Sequence, residues 1–298
     1  MLLRTVLVTS LAAGLLAIGA AAQSPEVRYI VGTEVAYVVR EGDSLASLGA
    51  RFGVEPSALA RMNSLGSNAR LRPKQILHVD NRHVVPEALD DGLVINIPQR
   101  LLFVFSKGAV VAWYPIGLGL PDWPTPTGPF SVSGKEVDPV WDVPPSIQEE
   151  MRREGKNVVT RILPGPKNPL GRYWIGLTHH NLGIHGTNAP TSVYRFQSHG
   201  CIRLHPDDVA DLFPRVEIGT PGEIIYEPLL LAHGAEGTLY LEVHRDVYSR
   251  TEDPMTTLTT AVDRIGARDD IDWDLARDAL RAHDGVVREV SRSESSER

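Results

Sequence analysis

The sequence predicts a mainly β fold: a sandwich-like or barrel-like central domain, preceded by a small βααβ module and followed by a short extension that contains helices. Short apolar or alternating runs recur across residues 91–227, and turns rich in glycine and proline separate them. Residues 35–80 change once from a strand pattern to helical spacing and back. Helical spacing returns within residues 228–298, which end in a polar tail. These observations define the expected domain boundaries.

Composition and charge exclude several classes of protein. Of 298 residues, 42% are hydrophobic and 22% are charged, which is typical of a globular chain and excludes wholesale disorder or a collagen-like rod. The formal net charge of −7 is a poor match for nucleic acid, because phosphate binding needs a basic surface. A single cysteine, Cys201, excludes an internal disulfide framework and a cysteine-rich metal site.

Residues 1–22 have the pattern of a secretory signal peptide. A short positive segment at 1–4 precedes an almost wholly apolar stretch at 6–22, and three final alanines fit a cleavage site before Gln23. An uncleaved membrane anchor is the alternative, although the stretch is short for about 30 Å of hydrocarbon. We expect cleavage and export. We expect no stable membrane insertion of the mature chain, since no later segment approaches about 18 apolar residues.

Residues 35–80 carry the pattern of a compact βααβ module. A strand pattern at 35–39 precedes two stretches of helical spacing, of which the first ends at Gly53 and the second starts near Pro56. Residues 71–79 close the module with a second strand pattern.

Several short segments of this module match the sequence pattern of a known domain family. The matching positions are Tyr37-Val38-Val39, Gly42-Asp43-Ser44-Leu45, Phe52-Gly53-Val54, Leu59, Met62-Asn63 and Gln75-Ile76-Leu77-His78-Val79. Together they resemble a LysM domain, a small module that binds N-acetylglucosamine-containing glycans. The resemblance implies that Pro56 and the loop near Asn63 line a glycan groove. Pro73-Lys74-Gln75 departs from the family, which usually has glycine there, and a βααβ unit without a ligand is the alternative.

The central domain, expected at 91–227 after a polar linker, consists of strand patterns joined by turns. These patterns lie at residues 92–97, 100–105, 109–116, 130–132 and 172–178, with a helical pattern at 147–154. Four prolines between positions 121 and 129 predict an extended loop. No glycine-rich phosphate-binding motif is present, so no nucleotide cofactor is predicted.

The residues that carry chemistry lie in two motifs, His185-Gly186-Thr187 and Ser198-His199-Gly200-Cys201-Ile202-Arg203. An imidazole beside a thiol removes its proton and leaves a thiolate nucleophile. His199 precedes Cys201 by two residues, an unfavourable spacing for a side-chain contact in extended chain. His185 lies at the end of a separate strand, so it is the histidine expected to approach Cys201 across a sheet.

The surroundings of Cys201 favour activation over inert burial. Gly200 permits a tight turn in which the backbone N–H groups of His199, Gly200 and Cys201 point to one oxyanion. Arg203 supplies positive charge for a substrate carboxylate, and the N-terminus of a helix predicted just after the motif adds positive potential. Two alternatives stay open: a buried, unreactive cysteine, and a metal site formed by His185, His199 and Cys201.

The two motifs and their spacing resemble those of the L,D-transpeptidases, the YkuD family, in its ErfK-like periplasmic branch. Flanking segments agree, namely Pro124-Thr125-Pro126-Thr127-Gly128-Pro129-Phe130, Asn168-Pro169-Leu170-Gly171, Tyr173-Trp174-Ile175-Gly176-Leu177 and Gly219-Thr220-Pro221-Gly222. The resemblance covers roughly residues 92–227 and implies a β-sandwich-like catalytic domain. One departure is Tyr194-Arg195, where the family commonly has Ile-Gly; it leaves the substrate preference open.

The resemblance implies a role for each residue of the site. Cys201 would be the nucleophile, and His185 would be the general base and acid, oriented by the backbone carbonyl of Gly186. The backbone of His199, Gly200 and Cys201 would form the oxyanion hole. The reaction it implies needs no metal and no cofactor.

The resemblance also implies the substrate. Ser198 and Arg203 would hold the donor, a tetrapeptide stem of peptidoglycan; Cys201 would attack the carbonyl of its third residue and release D-alanine. An amine would then resolve the thioester, either from another stem, giving a 3→3 crosslink, or from a lysine of an outer-membrane lipoprotein. The expected partners are therefore peptidoglycan stems and glycan strands in the periplasm.

Other functions stay open on the sequence. A hydrolase of the same fold would resolve the thioester with water and trim or detach stems. A non-catalytic wall-binding protein would not react with a carbapenem, a β-lactam class that acylates this family. A papain-like peptidase shares Cys and His, but its Cys usually precedes its His in sequence. The extension at 228–298 has a strand pattern at 237–244 and helical patterns at 255–265 and 273–283, without an assigned role.

Overall fold

A computed structural model of the chain describes residues 28–86, 89–179, 182–234 and 237–293. The expected signal peptide at 1–22 lies outside the described residues, as does the end of the polar tail. None of the helices described within these ranges combines the length and the apolar character needed to cross a membrane.

The N-terminal part has the βααβ order that the sequence predicts, with a short strand on either side. In chain order, β1, β2, α1, α2, β3 and β4 are Ile30–Val31, Glu34–Val38, Leu45–Phe52, Pro56–Met62, Ile76–Asp80 and His83–Val84. β2 pairs antiparallel with β3, and β1 pairs with β4. A capping box of Ser44 and Ser47 starts α1, and Gly53 ends it at φ 70°, a left-handed conformation that favours glycine.

Eleven strands and two helices make up the described central part. In chain order, β5 to β9 are Gly92–Asn96, Leu101–Ser106, Ala109–Gly119, Gly128–Val137 and Trp141–Asp142; α3 is Pro145–Arg153; β10 to β14 are Arg161–Ile162, Tyr173–Leu177, Gly183–His185, Phe196–Ser198 and Ile202–Leu204; α4 is Pro206–Leu212; and β15 is Pro221–Ile225. Two 3₁₀ turns occupy Pro190–Ser192 and Phe213–Arg215.

Nine of these strands form one sheet in the order β13-β7-β14-β12-β11-β8-β15-β5-β6, and a further pairing of β6 with β7 closes it. The mainly β fold expected from the short strands is confirmed. Fully buried apolar side chains fill the space inside the closed sheet, among them Ile95, Leu102, Ile116, Ile175 and Ile202. Within this sheet β12 and β14 are parallel neighbours, and their pairing brings the two sequence motifs together.

Residues 138–169 project from the sheet as an insertion. β9 and β10 pair antiparallel around α3, which has no buried residue. The helix starts at Pro145, earlier than the helical pattern at 147–154 suggested, because proline is well suited to the first turn of a helix.

The C-terminal extension is a small α/β unit with its own apolar core. β16, β17, α5, α6 and β18 are Leu229–His233, Leu239–Val243, Pro254–Arg264, Trp273–Ala282 and Arg288–Glu289. The three strands form one antiparallel sheet, against which both helices pack. The sequence patterns predicted β17 and both helices, whereas β16 and β18 carry too little periodicity and acquire strand structure through pairing with β17.

A buried carboxylate joins the three parts of the chain. Glu242 of β17 contacts His83 Nδ1 at 2.8 Å and His244 Nε2 at 2.7 Å through Oε1. Its Oε2 accepts hydrogen bonds from the Val84 amide at 2.7 Å and the Gln99 side chain at 3.0 Å. Burial acts to raise the pKa of Glu242, but the two histidines outweigh it and hold the pKa at about 2.

Candidate active site

Parallel pairing of β12 with β14 brings the two sequence motifs together. Ile184 is the register partner of Ile202, and His185 is the partner of Arg203. Cys201 directly precedes β14, and the backbone of Gly183, at the start of β12, hydrogen-bonds its thiol. His185 and Cys201 therefore reach the same face of the sheet and line one cleft.

A backbone contact sets the tautomer of His185. The imidazole is buried at 4% exposure, and its Nδ1 lies 2.6 Å from the carbonyl oxygen of Gly186. A carbonyl can only accept, so Nδ1 carries the hydrogen and the neutral ring keeps Nε2 as the proton acceptor. The Trp174 ring stacks on the imidazole with centroids 5.8 Å apart and planes at 21°. The base is thus held in one orientation.

Burial makes both members of the pair neutral at rest. It lowers the pKa of His185 to about 4, helped by the positive charge of Arg203. It also raises the pKa of the Cys201 thiol, against the opposing effects of the Gly183 backbone bond and Arg203. The expectation of a standing thiolate is therefore corrected: desolvation disfavours both charged forms, so the resting state is thiol and imidazole.

The lowered pKa of His185 predicts activity at an unusually acid pH. A proton on His185 removes the base, so kcat/KM is expected to hold down to about pH 5 and to fall as the pH drops through about 4. An unperturbed histidine would lose half of its activity near pH 6.5. The measurement is a pH profile of kcat/KM for the reaction that the resemblance implies, the release of D-alanine from a tetrapeptide stem.

A melting curve at each pH is the control for this profile. The folded pKa of His185 lies below its unfolded value, so its contribution to stability is present above about pH 6.5 and is lost as the pH falls towards 4. Loss of activity at a pH where the protein stays folded reports the base itself. Loss of half of the activity near pH 6.5 in a protein that stays folded would contradict the lowered pKa of His185.

Hydrogen bonds inside the loop 198–201 define its shape. Ser198 is 2% exposed, and its hydroxyl donates to the carbonyl oxygen of Cys201 at 2.6 Å and accepts from the Gly200 amide at 3.2 Å. Gly200 has φ 105°, where side chains other than glycine are strained. The Ser198 hydroxyl thus ties the turn together from within, a role that the motif alone does not reveal.

The His199 ring contacts the insertion and the proline-rich loop. Its Nε2 lies 3.0 Å from Glu150 Oε2 on α3, and its ring centroid lies 5.1 Å from that of Trp123. His199, whose spacing from Cys201 is unfavourable for a side-chain contact, thus has partners of its own in Glu150 and Trp123. Glu150 and Trp123 carry no motif signal, and only the folded chain brings them to the site.

The cleft itself has a volume of about 880 Å³ and lies between the insertion and the sheet. The insertion contributes a wall of mostly apolar residues between positions 139 and 147, while Ser198, Cys201 and Arg203 line the opposite side. Glu136 and Asp142 add negative charge along the rim. The space and its mixed charge suit a peptide that carries both carboxylate and ammonium groups.

Tyr194 and Arg195, which depart from the family pattern, lie in a loop that contacts the N-terminal module through Arg100. Tyr194 is buried, with φ 59°, and the Arg100 guanidinium lies 4.0 Å from the centre of its ring. Arg100 in turn pairs with Glu55 of the N-terminal module at 2.8 Å. Among the described residues, neither Tyr194 nor Arg195 lines the cleft. This loop therefore anchors the N-terminal module to the central domain.

The two expected glycan residues have different surroundings. Pro56 opens α2 and is partly exposed, next to the Glu55–Arg100 pair. The Asn63 side chain donates to the carbonyl oxygens of Leu59 and His78 and accepts from the His78 amide, at 2.7–2.8 Å. The Asn63 side chain thus joins the end of α2 to β3. The loop around Asn63, and not its bonded side chain, is therefore the part that could contact a glycan.

Comparisons with known proteins identify the families that the chain resembles. A family model described as L,D-transpeptidase catalytic domain, YkuD, matches residues 90–224, and one described as LysM domain matches residues 37–80. The crystal structure of Mycobacterium tuberculosis L,D-transpeptidase 1 is 28% identical with a TM-score of 0.32, covering 46% of this chain and 63% of that chain. A second solved structure, the Ldtfm-avibactam carbamoyl enzyme, is 25% identical with a TM-score of 0.37; the match covers 46% of this chain and about half of that one, 49%.

Curated relatives cover more of the chain. One named probable L,D-transpeptidase ErfK/SrfK, from Salmonella typhimurium, is 29% identical over 279 residues, which are 90% of this chain and 89% of the relative. Another, named probable L,D-transpeptidase YbiS, from Escherichia coli, is 30% identical over 221 residues, which are 71% of each. The paired motifs, their meeting in one cleft and these similarities together show that the chain belongs to the YkuD family of L,D-transpeptidases and carries an N-terminal LysM domain.

Proposed function

We propose that this protein is a peptidoglycan L,D-transpeptidase whose nucleophile is Cys201. The observation that carries the proposal is that His185 and Cys201 open onto one peptide-sized cleft, with the Gly186 contact leaving Nε2 of His185 as the proton acceptor. A thiol and an oriented base that share a cleft support covalent acyl transfer. The reaction as proposed uses no metal and no cofactor.

The first half-reaction forms a thioester. Cys201 Sγ attacks the carbonyl carbon of the third residue of a tetrapeptide stem while His185 accepts the thiol proton. The tetrahedral intermediate collapses, the peptide bond to D-alanine breaks, and His185 donates the proton to the leaving nitrogen. Because both groups are neutral at rest, proton transfer accompanies the attack instead of preceding it.

Substrate contacts are assigned from charge and position. Arg203 lines the cleft and remains charged although burial lowers its pKa, so it is the proposed partner of the donor carboxylate. Ser198 supports the donor site indirectly, through its bonds within the loop. The backbone amides of residues 199–201 are the proposed oxyanion hole, which the Gly200 amide joins when the Ser198 hydroxyl turns away.

The second half-reaction transfers the acyl group to an amine. His185 takes a proton from the acceptor nitrogen as it attacks the thioester, and the thiol of Cys201 is restored. The proposed acceptor is the side-chain amine of a second stem, which gives a 3→3 crosslink, or a lysine of an outer-membrane lipoprotein. Water in place of the amine would give a tripeptide stem and make the protein a hydrolase.

The LysM domain supplies the proposed contact with glycan strands, through Pro56 and the loop near Asn63. The ion pair between the partly exposed Glu55 and the buried Arg100 holds this domain against the catalytic domain. Binding of both domains to one immobile polymer raises the local concentration of stems at the cleft. Together with the signal-peptide pattern of the N-terminus, this supports the periplasm as the proposed location of the activity.

The test is the identity of the products. Mature protein and a Cys201→Ala variant are each incubated with purified tetrapeptide muropeptides, alone or with a short peptide ending in lysine, and the products are weighed by mass spectrometry. Cys201-dependent loss of D-alanine with new dimers establishes the stem as acceptor, and an adduct with the lysine peptide establishes a lipoprotein-type acceptor.

Three outcomes would overturn the proposal in different ways. Tripeptide as the only product under every condition would make the protein a hydrolase of the same fold. No loss of D-alanine from wild-type protein, together with no mass increase on exposure to a carbapenem, would make it a non-catalytic wall-binding protein. Equal turnover by wild type and Cys201→Ala would exclude Cys201 as the nucleophile.

A further inference from the structure

A tyrosine of the C-terminal extension reaches the back of the catalytic loop. Tyr248 follows β17, beyond the region 90–224 that matches the catalytic family. Its hydroxyl donates to the carbonyl oxygen of Gly119 at 2.6 Å and accepts from the amide of Thr125 at 3.2 Å. One phenol thus bridges the end of β7 and the proline-rich loop, which both lie behind Cys201.

Thr125 continues this contact to the loop itself. Its side chain is fully buried, and its hydroxyl accepts from the Gly119 amide at 3.0 Å and donates to the carbonyl oxygen of Gly200 at 2.8 Å. The Gly200 carbonyl and the Cys201 amide belong to one planar peptide unit, in which the N–H points opposite to the C=O. Holding the Gly200 oxygen therefore sets the direction of the Cys201 N–H.

Tyr248 is itself held firmly. The Tyr226 hydroxyl accepts from the Tyr248 amide at 2.8 Å and donates to Asp246 at 2.5 Å. The two tyrosine rings stack with centroids 5.7 Å apart, and the Arg250 guanidinium lies 5.3 Å from the centre of the Tyr248 ring. Phe196, at the start of β13, packs edge-on against the same ring at 5.7 Å. The phenol is preorganised by partners on both sides.

From these contacts we propose that Tyr248 is a positioning residue of the reaction: through Thr125 it holds the Gly200–Cys201 peptide so that the Cys201 amide faces the developing oxyanion. The proposal rests on the proposed function of Cys201. It also gives the C-terminal extension a catalytic purpose. A donor turned away from the oxyanion loses most of its effect, and removal of a whole donor costs about 10²–10³-fold in rate.

The test compares two reactions of the same sulfur in a Tyr248→Phe variant of the full mature chain. Acylation by a carbapenem or by a tetrapeptide stem passes through an oxyanion, whereas alkylation by iodoacetamide displaces iodide from a saturated carbon and forms none. Tyr248→Phe is expected to lower the acylation rate and the kcat for D-alanine release by roughly 10- to 100-fold. The alkylation rate and the KM for the stem are expected to change less than about twofold.

A matched control is Tyr240→Phe, the same substitution in β17 of the extension, where the side chain packs against a separate buried cluster that contains Val84 and Leu230. It is expected to leave both rates unchanged. A second pair tests the relay at its middle: Thr125→Val is expected to reproduce the loss of acylation, and Thr125→Ser, which keeps the hydroxyl, is expected to restore it. If Tyr248→Phe does not fold, the two Thr125 variants test the positioning of the Gly200–Cys201 peptide instead.

The results that would contradict the positioning role of Tyr248 differ from those that would contradict the proposed function of Cys201. Wild-type acylation rates in Tyr248→Phe would overturn the proposal, and so would equal falls in acylation and alkylation with a lowered melting temperature, because that is the pattern of a purely structural role. Wild-type protein that is alkylated at Cys201 but never acylated would overturn the proposed function, and with it any positioning role. The alkylation measurement separates these cases.

Discussion

Replacing Cys201 with alanine is expected to reduce D-alanine release from tetrapeptide stems by at least about 10⁴-fold. The chain has one cysteine, so no other thiol can form the thioester. His185 without the thiol has no group to activate other than water, and binding alone contributes little to the chemical step. The measurement is single-turnover release of D-alanine, with thioester formation followed by intact-protein mass.

The matched control for this result is Cys201→Ser. Serine keeps the size and polarity of the side chain but is a much weaker acid than a thiol, so an imidazole with a pKa of about 4 is a poor base for it. We expect nearly the same loss of turnover, with stem binding by calorimetry unchanged in both variants. An alanine variant that retains more than about 1% of wild-type turnover would show that Cys201 is not the nucleophile.

Replacing Glu242 with glutamine is expected to lower the free energy of unfolding by about 3–5 kcal/mol. The carboxylate is fully buried and makes polar contacts with four groups from three parts of the chain. Glutamine removes the negative charge of the acceptor, and its NH₂ group faces donors where the carboxylate accepted. The melting temperature at pH 7 should fall by roughly 10 °C.

The pH dependence of this difference provides a second readout. The pKa of Glu242 is about 2 in the folded state, below its ordinary value of 4.5, so its contribution is present above about pH 4.5 and is lost as the pH falls towards 2. The gap between wild type and Glu242→Gln should therefore narrow from pH 7 to pH 3. Glu252→Gln, an exposed counterpart, should change stability by less than about 0.5 kcal/mol. A Glu242→Gln protein that melts like Glu252→Gln would contradict the structural importance of the network.

Local sequence patterns predicted most of the fold and the family. The βααβ order of the LysM domain follows from apolar spacing and from Gly53, whose left-handed φ of 70° ends α1 where the sequence predicted. The paired motifs around His185 and Cys201 predicted one site, and β12 and β14 bring them together. The family identification is confirmed by the matching family models and relatives.

Other features of the site have no local signal in the sequence. The sequence suggested a thiolate at Cys201, but burial of the pair favours neutral forms, and burial depends on the whole fold. Tyr194 was a departure of open significance, and the folded chain places it under Arg100, where it helps to anchor the LysM domain. The Asn63 side chain joins α2 to β3, a role that the sequence did not indicate, and its expected place beside a glycan stays a prediction.

The sequence by itself determined the kinds of elements, the order of the domains and the side chains that we propose to react, because these depend on spacing over a few residues and on side-chain chemistry. Only the tertiary structure decided which distant groups meet. Thr125 bonds Gly200 across 75 positions, Tyr248 bonds Gly119 across 129, and Glu242 meets His83 across 159. Contacts of this length arise from closure of the sheet and docking of the extension, and both are set by the burial of apolar surface over the whole chain. The same burial favours the neutral forms of His185 and Cys201, and so determines how the proposed nucleophile would be activated.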